Sequence, residues 1–471
     1  MTGVVLSSFV VASTFAAGSV LVVLLRLHGT RVGLAARSFL LGTGALAYQA
    51  FLWSLAGLPV SLEALLPVWW VAVAVLWCRR RRARSVRSPP IASTLADRLF
   101  WLVVLVLVIL ALTTALLRPI HTADAANIYG LAARAIAARH ELSAGVLHSL
   151  QTAGHVEYPP LVALNEALLF MAAGTLAMRL ALVLFVFFFA SFAVLVHELA
   201  RELLRPGWAA LVSLVLVLSP EVLLYAWRGY ADLPLAALFA AAILHGRRAF
   251  VAGTPGDAVA AAVFLGFASF TKNEGLAAAL LGMGVLLVWA LASRRTRVLV
   301  GAVLLLLALV APWPIFRTVH HLEVVDLAGS SLGNLIDEPS RMAVVLSELA
   351  GIALRRGLRG DFMWGAFWFV VAGVGLAVVV INMRHPSRLG RQLVLPALPL
   401  IVQLAVYVTV LAVTGNDLRW QLETALSRLV LHTTPAALLL LASGFASVSK
   451  AALTGCGGST TGRLPGVRAI G

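Results

Sequence analysis

Charge and sulfur are scarce in this chain. Of its 471 residues only 12% are charged and two are cysteine, while 61% are hydrophobic. Two cysteines make no disulfide framework: Cys78 closes an apolar run beside an arginine block, and Cys456 lies in a glycine-rich tail. Lysine is nearly absent as well, with Lys272 and Lys450 set against 34 arginines. There is no P-loop, GxSxG, HExxH or CxxC pattern and no internal repeat, so the familiar phosphate-loop, hydrolase, zinc-protease and redox signatures are all missing.

Apolar sequence is what the chain has in excess. A mean hydropathy of +0.97 over this length exceeds what a soluble core requires, so the expected fold is an all-α, polytopic membrane protein. Runs long enough to span lie at 4–25, 38–56, 62–78, 99–117, 178–199, 208–226, 233–246, 257–271, 275–292, 297–316, 363–382, 393–413 and 434–449. That gives about 13 transmembrane helices, several near the lower length limit. The net charge of +16 does not point to nucleic acid, because the arginines punctuate the ends of apolar runs instead of forming one patch. No basic segment precedes the first run, which reads as an uncleaved span.

Orientation follows from the arginines. "RRRRARSVR" at 79–87 fixes one side as cytoplasmic, and alternation puts Arg247, Arg248, "SRRTR" and "RHPSRLGR" there too. This bookkeeping closes only if 159–176 does not cross. That segment opens on two prolines and carries Asn165 and Glu166; its Leu161, Leu164, Leu168 and Met171 stripe suggests a helix lying in the interface. Residues 118–177 then form one long outer loop, joined on that side by 317–362 and 414–433. The organisation expected is 1–98 as N-terminal spans with the arginine-rich loop, 99–316 as a catalytic core, 317–450 as outer loop and C-terminal spans, and 451–471 as a flexible cytoplasmic tail.

Ionisable groups at membrane depth are costly and mark candidate sites. Asp124 opens a segment whose Ile128, Leu131, Ala132 and Ala135 suggest a second interfacial helix; it is either an N-cap or a site residue. "HVEYPPL" holds His155, Glu157 and Tyr158 ahead of a proline-enforced extended stretch, either a plain turn or a fixed site. "YAWRGYADLPLA" supplies Arg228, an anchor or a ligand contact, and Asp232, an N-cap or a site carboxylate. "FTKNEG" reads as a tight outer turn with Lys272, Asn273 and Glu274. Its lysine either pairs with Glu274 or makes a specific contact to a phosphate or carboxylate, which an Arg-rich chain would have reason to keep. Arg428 and His432, at i, i+4, are placed on a short outer helix as an anion site or an interface anchor. His320 and His321 are adjacent, the wrong spacing for a helical ligand pair. Glu323, Asp326, Asp337 and Glu338 could join a metal site or lie in a solvated loop.

The ordered succession "DAANIYGLAARA", "HVEYPPLVALNEALL", "GYADLPLA" and "FTKNEG" resembles the polytopic GT-C glycosyltransferases. It is similar to bacterial members of the dolichyl-phosphate-mannose protein mannosyltransferase and aminoarabinose transferase group, over roughly 100–316. The resemblance implies a GT-C-like fold and sugar transfer from a polyprenyl-phosphate donor to a glycan, lipid or protein acceptor on the outer face of a bacterial plasma membrane. It implies Asp124 as catalytic base and Asp232 as a second acidic residue, with membrane lipids as surroundings and no nucleic acid. A carboxylate is needed to take the acceptor's proton, and cations to receive the departing phosphate, for which Lys272 and Arg228 are candidates. One base without a nucleophile pair favours inversion. No cofactor is required, and a divalent cation is left open. The family often has Trp before the first Asp and Lys shortly after; this chain has Ala123 and Leu131-Ala132-Ala133-Arg134. The reading from another class is a transporter or flippase, which would also bury charges in short or broken helices.

Overall fold

A computed structural model describes residues 2–80, 94–118, 122–150, 155–174, 177–292, 296–322, 329–358, 364–384 and 389–455. Among them every regular element is helical and no strand occurs, so the chain is all-α. Among the described residues eight helices are long and apolar enough to cross a membrane, or nine if one bent pair counts as a single span. Most of the remaining expected spans appear as shorter apolar helices, namely Leu62–Cys78, Pro255–Ser269 and Phe367–Ala377. The stretch 38–56 is covered by the Arg31–Leu55 helix and its C-cap Ala56.

The bent pair is the expected span 208–226. Helices Pro206–Val217 and Pro220–Arg228 meet at 60°. Pro220 has no N–H to continue the first helix, and the Ser219 hydroxyl bonds the carbonyls of Val215 and Trp364 at 3.1 Å each, which fixes the break.

The centre of the molecule is the Asp232–Ala252 helix, buried over most of its length and rich in alanine. It packs against the helices Ala177–Arg201, Pro255–Ser269 and Leu418–Gly455. Helices Thr2–Leu24 and Arg31–Leu55 pack backbone to backbone. A Cβ on Gly18 would stand 1.6 Å from the Ser38 carbonyl oxygen, and one on Gly42 would stand 1.8 Å from that of Thr14. Close approach over small residues is how helices associate where no hydrophobic force distinguishes partner from lipid.

Two local expectations are corrected. Leu161–Ala173 is not an amphipathic interfacial helix: every residue except Met171 is buried, beneath the helices Thr2–Leu24, Arg31–Leu55, Gly130–Arg139 and Ala177–Arg201. Its leucine stripe is real, but alanines and Phe170 fill the other faces, and Asn165 is satisfied by the carbonyls of Thr43 (3.0 Å) and Leu161 (2.8 Å). In the segment after Asp124 the buried residues are Ala125, Tyr129, Gly130, Ala133 and Ile136, whereas Ile128, Leu131, Ala132 and Ala135 are only partly buried. Residues Asp124–Tyr129 form a π-helical turn, and the buried positions recur at helical spacing on a face rotated from the one assumed from sequence. Arg134 folds back to donate to the carbonyls of Gly130 and Ala126.

A second polar layer crosses the core near the far end of the Asp232–Ala252 helix. His245 lies 13 residues beyond Asp232, about 20 Å along the axis. Fully buried Arg37 donates to Glu198 (2.5 Å) and to His245 Nε2 (2.8 Å), and His245 Nδ1 meets Asp257 (2.5 Å). Arg247 and Arg248 both pair with Glu202. The arginine-rich segments 81–87, 293–295 and 385–388 and most of the expected tail, 456–471, lie outside the described residues; 451–455 continue the last helix.

Candidate functional site

Asp232 is the first residue of its helix, but it is not acting as a cap. Its carboxylate is fully buried and accepts three hydrogen bonds, from Lys272 Nζ (2.9 Å) and His432 Nε2 (3.0 Å) on Oδ1 and from Arg428 Nε (3.2 Å) on Oδ2. Arg428 also reaches Asp124, with Nη2 donating to Oδ2 at 2.6 Å. Lys272 likewise spans two carboxylates, its second partner being Glu274 at 2.8 Å. Asp124, Asp232 and Glu274 are thus cross-linked by two cations, and His432 adds a further bond to Asp232.

Local sequence explains how these side chains meet. Gly229 ends the Pro220–Arg228 helix with φ +75°, and a Cβ there would stand 2.6 Å from that of Ala125. Only glycine lets the turn before Asp232 lie against the π-turn carrying Asp124. Thr122 strengthens this junction by donating to the Arg228 carbonyl at 2.7 Å. The "FTKNEG" turn is fixed from two sides. The Phe270 carbonyl accepts from the Leu161 N–H (2.9 Å), and a Cβ on Gly275 would stand 1.9 Å from the Ala268 carbonyl oxygen. Lys272 is 3% exposed, so its ammonium needs both of its carboxylates.

Burial dominates Asp124 and pushes its carboxyl above the ordinary aspartate value; the Arg428 guanidinium opposes that rise without cancelling it. Burial alone would lower Lys272, but Asp232 and Glu274 outweigh it and hold the ammonium above its usual value. Arg428 is further held over the Tyr230 ring, 4.8 Å from its centroid.

The other expected residues divide. Glu157 is fully buried, not a solvated turn residue, and pairs with His155 Nδ1 at 3.0 Å. The His155 ring stacks on Tyr158 (5.0 Å), which in turn neighbours Tyr129 (6.3 Å). Arg228 lies over the Tyr225 ring at 5.7 Å and makes no ion pair among the described residues. Asn273 turns away from the cluster, with Arg317 at 3.5 Å its partner. Arg428 and His432 are not on a short outer helix. They lie on one 38-residue helix, Leu418–Gly455, that runs straight into the last expected span and carries Pro435 internally. The boundary drawn at the proline fails because the chain on both sides of it stays helical. Glu323 and Asp326 fall outside the described residues, and Glu338 makes an exposed pair with Arg341 at 3.4 Å.

Several contributors escaped the sequence reading. The buried Tyr407 hydroxyl lies 3.3 Å from His432 Nδ1, and Gln403 Nε2 donates to it at 3.1 Å. Both sit in the expected span 393–413, at an i, i+4 spacing whose polar character was the available signal. Glu221, buried in the bent pair, accepts from Ser427 at 2.7 Å, directly beside Arg428 in sequence. No group of three or more His, Cys, Asp or Glu gathers as a cation cage among the described residues. The three site carboxylates already hold Lys272 and Arg428, so this donor set does not fit a divalent cation.

Fold and site together define an all-α membrane protein with several spanning helices and a cross-linked charge cluster within its helical core. No family model, curated protein or solved structure matches the chain.

Proposed function

We propose that the chain is a membrane glycosyltransferase. It moves a hexosyl or pentosyl group from a polyprenyl-phosphate donor to a hydroxyl acceptor, with inversion, at the outer face of a bacterial plasma membrane. The observation that carries this reading is the Asp124 carboxylate. One oxygen is anchored by Arg428, while Oδ1 accepts no hydrogen bond among the described residues. A held carboxylate with one open oxygen is suited to general-base work.

In the proposed step the acceptor oxygen attacks the anomeric carbon as the bond from that carbon to the phosphate oxygen breaks. Polyprenyl phosphate leaves with the bonding electrons, and the acceptor's proton passes to Asp124 Oδ1. Charge gathering on the phosphate calls for a cation. Lys272 donates to Asp232 and Glu274, which leaves the third of its ammonium hydrogens for a phosphate oxygen. Arg228, which makes no ion pair among the described residues, is a second candidate for that contact. The stacked His155 and Tyr158 rings offer a face for the sugar.

Transfer from a synthetic polyprenyl-phosphate sugar by purified protein tests the reading. Asp124→Asn is expected to slow turnover by about 10²–10⁴-fold while keeping donor affinity. Equal rates for the two proteins would remove Asp124 from the role of base. The 60° break in the 206–228 pair and the buried charges also suit a transporter of lipid-linked or free sugar. Sugar uptake into vesicles lacking any lipid-linked donor would favour that second reading.

A further inference from the structure

Asp232 is served by a polar chain that runs away from the cluster into the helix Leu389–Val413. Its members are Gln403, Tyr407 and His432, of which Tyr407 and His432 are buried. Each hydrogen in the chain has one place to go. Gln403 Nε2 lies 3.4 Å from the His432 backbone carbonyl, which can only accept, so the amide presents its NH2 on this side. The same nitrogen donates to the Tyr407 oxygen at 3.1 Å. The phenolic hydrogen is then free to point at His432 Nδ1, 3.3 Å away. At the far side of the ring, His432 Nε2 faces Asp232 Oδ1 at 3.0 Å. A bare Nε2 there would set a lone pair against a carboxylate oxygen, so Nε2 carries the hydrogen. A doubly protonated ring would instead turn Nδ1–H toward Tyr407, and the phenolic hydrogen would lose Nδ1 as its acceptor.

We propose that Gln403, Tyr407 and His432 form a directed hydrogen-bond chain ending on Asp232, in which His432 is neutral and protonated at Nε2. Tyr407 is a positioning residue: by filling Nδ1 it fixes the tautomer, and the tautomer supplies Asp232 with its third donor. With all three donors in place, Asp232 is an ionised anchor for Lys272 and Arg428 and not a second base. Its part in turnover rests on the glycosyltransferase reading; the tautomer does not.

The test is nitrogen NMR of protein labelled with 15N-histidine, with His432→Gln identifying the relevant signals by difference. The wild type should give a pyrrole-type Nε2 and a pyridine-type Nδ1 at neutral pH. Tyr407→Phe should shift the Nδ1 signal or introduce the other tautomer. Two protonated nitrogens in the wild type, or an Nδ1–H tautomer, would overturn the proposal, as would a His432 spectrum unchanged in Tyr407→Phe. If that variant does not fold, the wild-type spectrum still decides. In a transfer assay Tyr407→Phe should lower kcat about tenfold with the donor KM within about twofold, the cost of one buried hydrogen bond. Absence of any transfer by the wild type would count against the glycosyltransferase reading and leave the spectral result standing.

Discussion

Arg428 joins Asp124 and Asp232, and its removal would leave both without their shared cation. Burial raises the Asp124 carboxyl and Arg428 opposes the rise, so the sign of a pH effect is fixed. A base works when ionised; activity is present above its folded pKa and is lost as pH falls through it. The acid limb of kcat/KM should therefore lie above the ordinary aspartate range, and Arg428→Gln should move it further toward neutrality. A limb that stays in place in Arg428→Gln would show that Asp124 does not govern it. Asp124, Asp232, Lys272 and Glu274 were all legible as site candidates, since a carboxylate or ammonium within apolar sequence demands an explanation. The Lys272–Glu274 pair was among the readings, but the partners of Asp124 and Asp232 were not. Nothing in the spacing of Arg428 shows that its guanidinium crosses to Asp124, 304 residues away in sequence. Tyr407 escaped because one hydroxyl in an aliphatic run has an ordinary structural use.

Elements were legible where apolar length alone decides, and less so where packing does. The spans at 4–25, 99–117, 178–199 and 297–316 each correspond to a long apolar helix. The 161–173 helix was misjudged because a leucine stripe says which residues must be buried but not whether the alanines beside them are also covered. The π-turn was hidden for a related reason: periodicity assumes one helical pitch, and Asp124–Tyr129 closes more widely. The Thr2–Leu24 and Arg31–Leu55 pair gives an element-scale prediction. A side chain at Gly42 would force the Thr14 carbonyl away, so Gly42→Val should cost about 1–3 kcal/mol of stability, the usual cost of overpacking. Thermal unfolding in detergent reads it, and an unchanged midpoint would mean that the two helices separate freely.

For the whole molecule, membrane residence follows from composition before any helix is drawn, whereas the number of crossings does not. Among the described residues eight helices satisfy length and apolarity, and the shorter apolar ones lie against them in a shared core. Polar layers at the two ends of the Asp232–Ala252 helix, one around Asp232 and one around His245, set how that helix stands relative to its neighbours.

The helix Leu418–Gly455 has one more consequence. Its 38 residues extend about 57 Å, whereas a bilayer's hydrocarbon is about 30 Å thick. Arg428 and His432 lie about 15 and 21 Å from its start. A helix so much longer than the oil it crosses must either lean or leave a post in water, and host-lipid chain length shifts the balance between the two. Reconstitution in lipids of graded acyl length should therefore tune turnover with the protein unaltered, passing through an optimum. A flat response from thin to thick bilayers would mean that the charge cluster keeps its depth whatever surrounds it.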